Sequence, residues 1–298
     1  MLRDFPLSAA LSARLAAHRA DASAVRAVPV VPPVPARDAA TVMLVDDLPE
    51  GGVRVIAFRR HRSLAFAPGM LVFPGGAVEP ADHALARALG GPDAVGGPLD
   101  GVLVAAVRET FEECGVLIAV PEDASSPVPA PGLAEAREAL LAGRTDLAGV
   151  LRSTGTGLRA GLLRPWAHWI TPDFESRRFD TRFFVAAMPA GQQVQTFGRE
   201  AEDGMDGVDG PATARAEGGW FGAAAAVARH RAGDLAMLPP TLVCLEELAA
   251  ASSVAAVLAV PRRPQPVLPW PVEVPGADGA GRMVLRVDLD GAGGGRAP

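Results

Sequence analysis

The chain has 298 residues, a formal net charge of -6 and a pI near 5.4. That length accommodates one large domain with attachments and a sizeable core, while the acidic balance argues against the broad basic surface that duplex nucleic acid demands. Lys, Asn and Tyr are absent and Ala, Gly, Pro and Arg abundant, a bias typical of GC-rich coding, so the number of arginines carries little functional weight.

Leu7, Leu11 and Leu15 recur every four residues and predict an amphipathic helix over 7–20, a candidate packing or homodimer surface. "VPVVPPVPA" (28–36) cannot continue a helix and reads as a linker. "TVMLVDDLPEGGVRVIAFRR" has two β-branched runs around a Pro and Gly turn, hence a hairpin, and "MLVFPGG" is a third strand. Residues 84–101 begin helix-like and become rich in Gly and Pro, a surface excursion. A helix is expected from about Val102 to Cys114 with Gly115 as its stop, then a short buried strand, "VLIAV". A Pro-rich loop and at least one helix around "LAEAREALLA" fill 121–163 as a cap. "PWAHWITP" and "RRFDTRFFVAAM" read as strands, and "AAAAVARHRA" and "LPPTLVCLEELAAA" as helices. "PVEVPGADGAGRMVLRVDL" is a terminal hairpin, followed by a tail. The expected division is 1–38 as helix and linker, 39–260 as the main domain with insertions at about 83–101 and 121–163, and 261–298 as a β appendage and tail.

The longest apolar stretch, 249–260, is broken by Ser252 and Ser253 and is too short to span a bilayer. The N-terminus does not read as a signal peptide. Cys114 and Cys244, the only cysteines, make neither a disulfide framework nor a CxxC zinc pattern. A cytoplasmic protein with no membrane and no nucleic-acid partner is the expectation.

The chemistry concentrates in "AAVRETFEECGV" (105–116). Glu109, Glu112 and Glu113 stand at i, i+3 and i+4, so on a helix their carboxylates share one face at about 5–6 Å between Cβ atoms and repel one another. Arg108 alone cannot balance them. A hard divalent cation can: Mg²⁺ takes oxygen ligands and bridges a few carboxylates to substrate phosphate, and a glycine turn lets a backbone carbonyl approach closely. Taken without its surroundings, the same run is an exposed helix with an Arg108–Glu112 pair.

"GGAVEPAD" followed, after an interruption, by "RETFEECGV" resembles the Nudix hydrolase signature. Gly76 opens it, and Arg108, Glu109, Glu112, Glu113, Gly115 and Val116 match its second half, with Thr110 where an aliphatic residue is usual. Either Asp82 or Asp100 has the spacing to replace its first glutamate. The interruption, with "FAPGMLVFPGG", "RFDTRFF" and "LPPT", is similar to the branch containing peroxisomal acyl-CoA diphosphatases. The resemblance implies an α/β (α+β) fold, a Nudix-like α/β/α sandwich with a mixed sheet, helical insertion and C-terminal appendage. It also implies Mg²⁺ or Mn²⁺ held by Glu109, Glu112, Glu113 and the Gly76 carbonyl, with Arg108 orienting the carboxylates. The activity implied is hydrolysis of a small-molecule diphosphate, in a nucleoside diphosphate joined to another group. Coenzyme A or acyl-CoA is the first alternative and a catalytically silent binding module the second; isomerisation of a small diphosphate lacks a Cys and Glu pair to support it. Candidates for the water's proton are Glu109, Glu200, Glu202 and Glu217.

Arg177, Arg178 and Arg182 either grip a diphosphate or pair with Asp173, Glu175 and Asp180. Arg60 fits the first arginine of a motif found beside the box in coenzyme A diphosphatases, but the second falls at Ala65. Trp166, Trp169 and Phe174 either stack on a base or belong to the core. His18, His61, His83, His168 and His230 show no metal spacing, and Cys114 reads as a buried thiol.

Overall fold

A computed structural model describes residues 1–7, 11–13, 15–16, 33–61, 69–90, 99–121, 132–195, 215–276 and 281–290. The chain forms two compact units, residues 39–166 with 182–263, and residues 1–38 with 167–181 and 264–298.

In the larger unit, the expected hairpin is β2 (Arg37–Asp47) and β3 (Val53–Arg60), paired antiparallel. Its turn places Gly51 and Gly52 at φ 93° and 89°, where a Cβ would be strained. "MLVFPGG" is two short strands rather than one: β4 (Leu71–Val72) pairs with β3 and β5 (Gly75–Ala77) with β2. Pro74 between them has no N–H to give, and its carbonyl accepts from Val42 N–H at 2.9 Å. The strand order is β10 (Arg215–Gly222), β3, β2, β9 (Phe179–Ala187).

Helix α1 (Pro80–Ala88) follows β5, and α2 (Gly101–Cys114) is the expected acidic helix. Asp100 caps its start by accepting from Leu103 N–H at 2.8 Å, and Gly115 ends it at φ 69°. Ala40, Val42 and Leu44 of β2, Ile56 and Phe58 of β3, and Phe184 and Ala186 of β9 join Leu103, Val107 and Phe111 of α2 in one core. The alternate residues Met43, Val45, Val55 and Ala57 are buried on the opposite face. There α5 (Ala223–Arg231) packs on β3 and β10 and contacts α6 (Pro239–Ala249). The apolar stretch 249–260 breaks before α7 (Val254–Ala259), which Ser253 caps.

The 121–163 insertion holds two helices, α3 (Leu133–Leu141) and α4 (Leu147–Thr154). "VLIAV" is not the strand expected; only Val120–Pro121 (β6) pairs, with Thr156–Gly157 (β7). The Gln192 side-chain amide replaces a partner strand at Leu117, accepting from its N–H and donating to its carbonyl, both at 2.9 Å.

The smaller unit brings the two ends of the chain into one sheet. The terminal hairpin, β12 (Trp270–Pro275) with β13 (Gly281–Asp288), gains a third strand, β1 (Leu2–Pro6), antiparallel to β13. Residues 2–6 therefore belong to the same sheet as residues 270–275 and 281–288. Residues 11–13 and 15–16 are helical and Leu15 is buried, while Leu7, directly after β1, is not helical; residues 8–10, 14 and 17–20 and most of the 28–36 linker lie outside the described residues. In this unit Pro266–Val267 (β11) runs parallel to Trp169 and His168 of β8 (Arg164–Ile170), which makes the sheet mixed.

Among the described residues no helix is long and apolar enough to cross a membrane.

Candidate active site

Gly75 and Gly76 sit in β5 opposite Thr41 and Ala40 of β2, and α2 packs on this strand. The approach is so close that a Cβ at Gly76 would have to push the Glu109 carboxylate aside: it would lie 2.3 Å from Glu109 Oε1 and 2.6 Å from its carboxyl carbon. One residue earlier, the Gly75 N–H donates to Glu113 Oε2 at 2.8 Å. The glycine pair thus meets two of the three glutamates directly.

Arg108 organises the remainder. Its Nε and Nη2 donate to the two oxygens of Asp82, both at 2.9 Å, Nη2 also donates to the Ala77 carbonyl at 3.0 Å, and Nη1 donates to Glu109 Oε1 at 2.9 Å. Glu112 Oε2 lies 3.5 Å from Nη1. Asp82 is 2% exposed and Arg108 7%. Burial works against the charge on Arg108, but the Asp82 bonds and the negative charges of Glu109 and Glu112 prevail and hold the guanidinium protonated. Asp82 Oδ2 also accepts from Glu79 N–H at 2.8 Å, tying the start of α1 to the acidic helix. The two aspartates that spacing could not separate are therefore distinct: Asp82 joins the cluster, and Asp100 caps α2.

Asp82, Glu109 and Glu112 share the Arg108 guanidinium, so three carboxyl groups meet one cation there. Burial first, and the neighbouring charges of Glu109 and Glu79 with it, push the Glu112 carboxyl up to about 7 despite the attraction of Arg108. The expected cradle is not closed, however: among the described residues no three acidic, His or Cys side chains converge closely enough to hold an ion. Glu109 is turned onto Arg108 and Glu113 onto the Gly75 N–H. As a donor set the cluster still fits a hard divalent cation: oxygen ligands in charge excess beside a strand where the absence of a Cβ permits close approach.

Thr110, the unusual residue of the box, is fully buried and returns its hydroxyl to the Ala106 carbonyl at 2.7 Å, so its polarity is satisfied inside the helix. Arg137 of α3, missed in the sequence, donates from Nε and Nη2 to the Glu112 carbonyl at 3.0 and 2.8 Å. A cation at this end of α2 satisfies a carbonyl that the helix leaves open and complements its dipole. The signal was present: Arg137 shares the buried stripe of α3 with Leu133 and Leu140, and a charge on such a stripe needs a partner.

The remaining candidates disperse. Arg178 lies in the smaller unit, where Thr171 O, Val34 O and Asp173 take up its donors; these contacts are those of the pairing alternative. Asp180 contacts His168 rather than an arginine. Trp166 is buried, donates to Glu247 at 2.7 Å and lies under Arg262, with 3.6 Å from guanidinium to ring centroid, a core arrangement. Trp169 is also buried. Cys114 and Cys244 are buried thiols with no disulfide between them. Arg60 ends β3 on the same side as Ile56 and Phe58, by strand alternation, and its N–H donates to Met70 O at 3.0 Å. Arg182 is half-buried in β9. Glu200, Glu202, His18 and Ala65 lie outside the described residues, as does the Glu217 side chain.

Comparison with known proteins agrees with this geometry. The family model of the NUDT19 Nudix domain matches residues 96–204. Two curated acyl-coenzyme A diphosphatases, both NUDT19, are similar. That of Xenopus laevis is 25% identical over 190 residues, 49% of this chain and 50% of that protein. That of Homo sapiens is 31% identical over 185 residues, 47% and 49% respectively. The chain spans about half the length of the curated relatives it matches. Among solved structures, a NUDIX hydrolase from Alicyclobacillus acidocaldarius superposes with a TM-score of 0.62 at 27% identity, covering 76% of this chain and 97% of that one. With the glycine pair, the arginine and the three glutamates assembled on one strand and one helix, the chain is similar to the Nudix hydrolases, their acyl-CoA diphosphatases among them.

Proposed function

We propose that this protein hydrolyses the diphosphate linkage of a nucleoside diphosphate joined to another group, using a divalent cation, Mg²⁺ or Mn²⁺. The observation that carries this reading is the meeting of Glu109 and Glu113 with the Gly75–Gly76 strand, with Glu112 beside them on the same helix. Glu109, Glu112, Glu113 and the Gly76 carbonyl would hold the ion, which when bound supplies charge for the diphosphate and lowers the pKa of a water. Arg108 is a positioning residue: its donors hold Asp82, Glu109 and Ala77 O, and they aim the carboxylates rather than touch substrate. Glu109 is our candidate to accept the proton of the attacking water, since it stands on the acidic helix itself.

Coenzyme A or an acyl-CoA, a 3′-phosphorylated adenosine diphosphate joined to pantetheine, is the member of this class that the resemblance to acyl-CoA diphosphatases favours. Its products would be phosphopantetheine and adenosine 3′,5′-bisphosphate. Two buried cysteines kept as thiols rather than a disulfide fit a reducing compartment such as the cytoplasm.

The test is a panel of nucleoside diphosphate conjugates, coenzyme A and acyl-CoA among them, with products identified for the wild type and for Glu113→Gln. Cation-dependent cleavage, stopped by chelation and reduced at least a hundredfold by Glu113→Gln, is the expected result. A wild type inert to the whole panel points instead to a silent binding module, and undiminished cleavage by Glu113→Gln removes the assigned carboxylate role.

A further inference from the structure

The position of Arg182 relative to the acidic helix follows from backbone hydrogen bonds. At one end of β2, Arg37 N–H donates to Arg178 O at 2.9 Å; at the other, Met188 N–H donates to Val45 O at 2.8 Å. The order is the same along both strands, so β9 runs parallel to β2. In a parallel ladder a residue donates to the residue before its opposite number and accepts from the residue after it. Arg37 therefore stands opposite Phe179, and Val45 opposite Ala187. Both ends give the same offset, which puts Arg182 opposite Ala40.

Ala40 is in turn opposite Gly76. Arg182, Ala40 and Gly76 form one row across three strands, with about 10 Å between the outer Cα atoms at roughly 4.8 Å per strand. Residues in such a row project to the same side of the sheet. That side is known at Gly76, where a Cβ would meet the Glu109 carboxylate. It is known again in β9, because Phe184 and Ala186 belong to the core formed with α2. Arg182 therefore leaves the sheet on the glutamate side, two strands from the glycine.

The surrounding arginines are committed elsewhere: Arg108 to Asp82 and Glu109, and Arg178 to Thr171, Val34 and Asp173. Arg182 is half-buried and, among the described residues, has no hydrogen-bond or ion-pair partner. A planar guanidinium is suited to two phosphate oxygens at once. We infer that Arg182 grips the anionic oxygens of the diphosphate from the sheet side, across from the glutamates of α2. This rests on the reading of the site as a diphosphate hydrolase.

The test measures binding of imidodiphosphate, whose bridging nitrogen resists cleavage, in the presence of Mg²⁺ by calorimetry, for the wild type, Arg182→Gln and Arg182→Lys. Mn²⁺ binding without diphosphate, thermal midpoints and the steady-state constants of any substrate found are measured alongside. Loss of the bidentate grip is expected to weaken imidodiphosphate binding and raise KM by about 10- to 100-fold in Arg182→Gln. Arg182→Lys, which keeps the charge and loses the fork, falls between, while Mn²⁺ binding and thermal midpoint stay at the wild-type values. Imidodiphosphate binding that is absent in the wild type or equal in wild type and Arg182→Gln overturns the inference. So does a loss that appears together with lost Mn²⁺ binding or with unfolding of both variants. A wild type that binds imidodiphosphate through Arg182 yet cleaves no diphosphate upholds the grip and sinks the hydrolase reading, so the two failures are distinguishable.

Discussion

Arg108 and Asp82, 26 residues apart in sequence, meet through two hydrogen bonds of 2.9 Å in a nearly solvent-free position between α1 and α2. Removing one member of such a pair strands the other's charge, which costs about 3–5 kcal/mol. Asp82→Ala should lower unfolding stability by that amount. Asp100→Ala, which removes only a helix cap, should cost about 1 kcal/mol. Urea denaturation of the two variants checks the ratio; equal losses would contradict the distinct roles assigned to them.

The two glycines of β5 should respond differently to alanine. At Gly76 the obstacle is the mobile end of a side chain, Glu109, so Gly76→Ala is expected to fold within about 1 kcal/mol of the wild type while activity falls at least tenfold as Glu109 is displaced. At Gly75 a Cβ would lie 2.3 Å from the Ala40 carbonyl, at φ 155°, so Gly75→Ala should lose several-fold more stability. Thermal denaturation and turnover of each variant separate the cases.

Glu112 makes the ion-free protein pH-sensitive. Its folded carboxyl is raised to about 7 from 4.5, so the native state holds that proton more tightly than the unfolded chain does. This contribution is fully present below pH 4.5 and is lost as pH rises to about 7, a change of about 3 kcal/mol. Denaturation in a chelator between pH 4.5 and 8 should show the decline, Glu112→Gln should flatten it, and saturating Mg²⁺ should offset it. A chelated wild type whose stability does not fall over that range would rule this out.

Arg137→Met should free the Glu112 carbonyl and cost about 1.5–3 kcal/mol, the value of hydrogen bonds to a charged group. Hydrogen exchange provides a local readout: faster exchange in the last turn of α2, with the first turn, capped by Asp100, little changed.

The acidic helix was legible because its determinants are local. Asp100 and Gly115 mark its ends, and the spacing of Glu109, Glu112 and Glu113 fixes their common face. The Asp82–Arg108 pair was not, since both aspartates satisfied a spacing and only packing of α1 on α2 selects one. "VLIAV" was apolar enough for a strand, but its pairing came from the side chain of Gln192, 75 residues from Leu117. Similarly, β1 was hidden because "LRDFP" alternates too briefly to announce a strand before β13 is known. The sequence placed Arg178 and Arg182 on equal terms; the local acceptors around Arg178, supplied by Thr171, Val34 and Asp173, separate them.

Because the Asp82–Arg108 contact and the packing of α1 against α2 hold the two arms together, the linker between them need only close a circuit. Lengthening such a connection costs about 0.6 kcal/mol per doubling. The register of α1 against α2 is thus set by the side chains that meet between them and not by the length of chain that joins them.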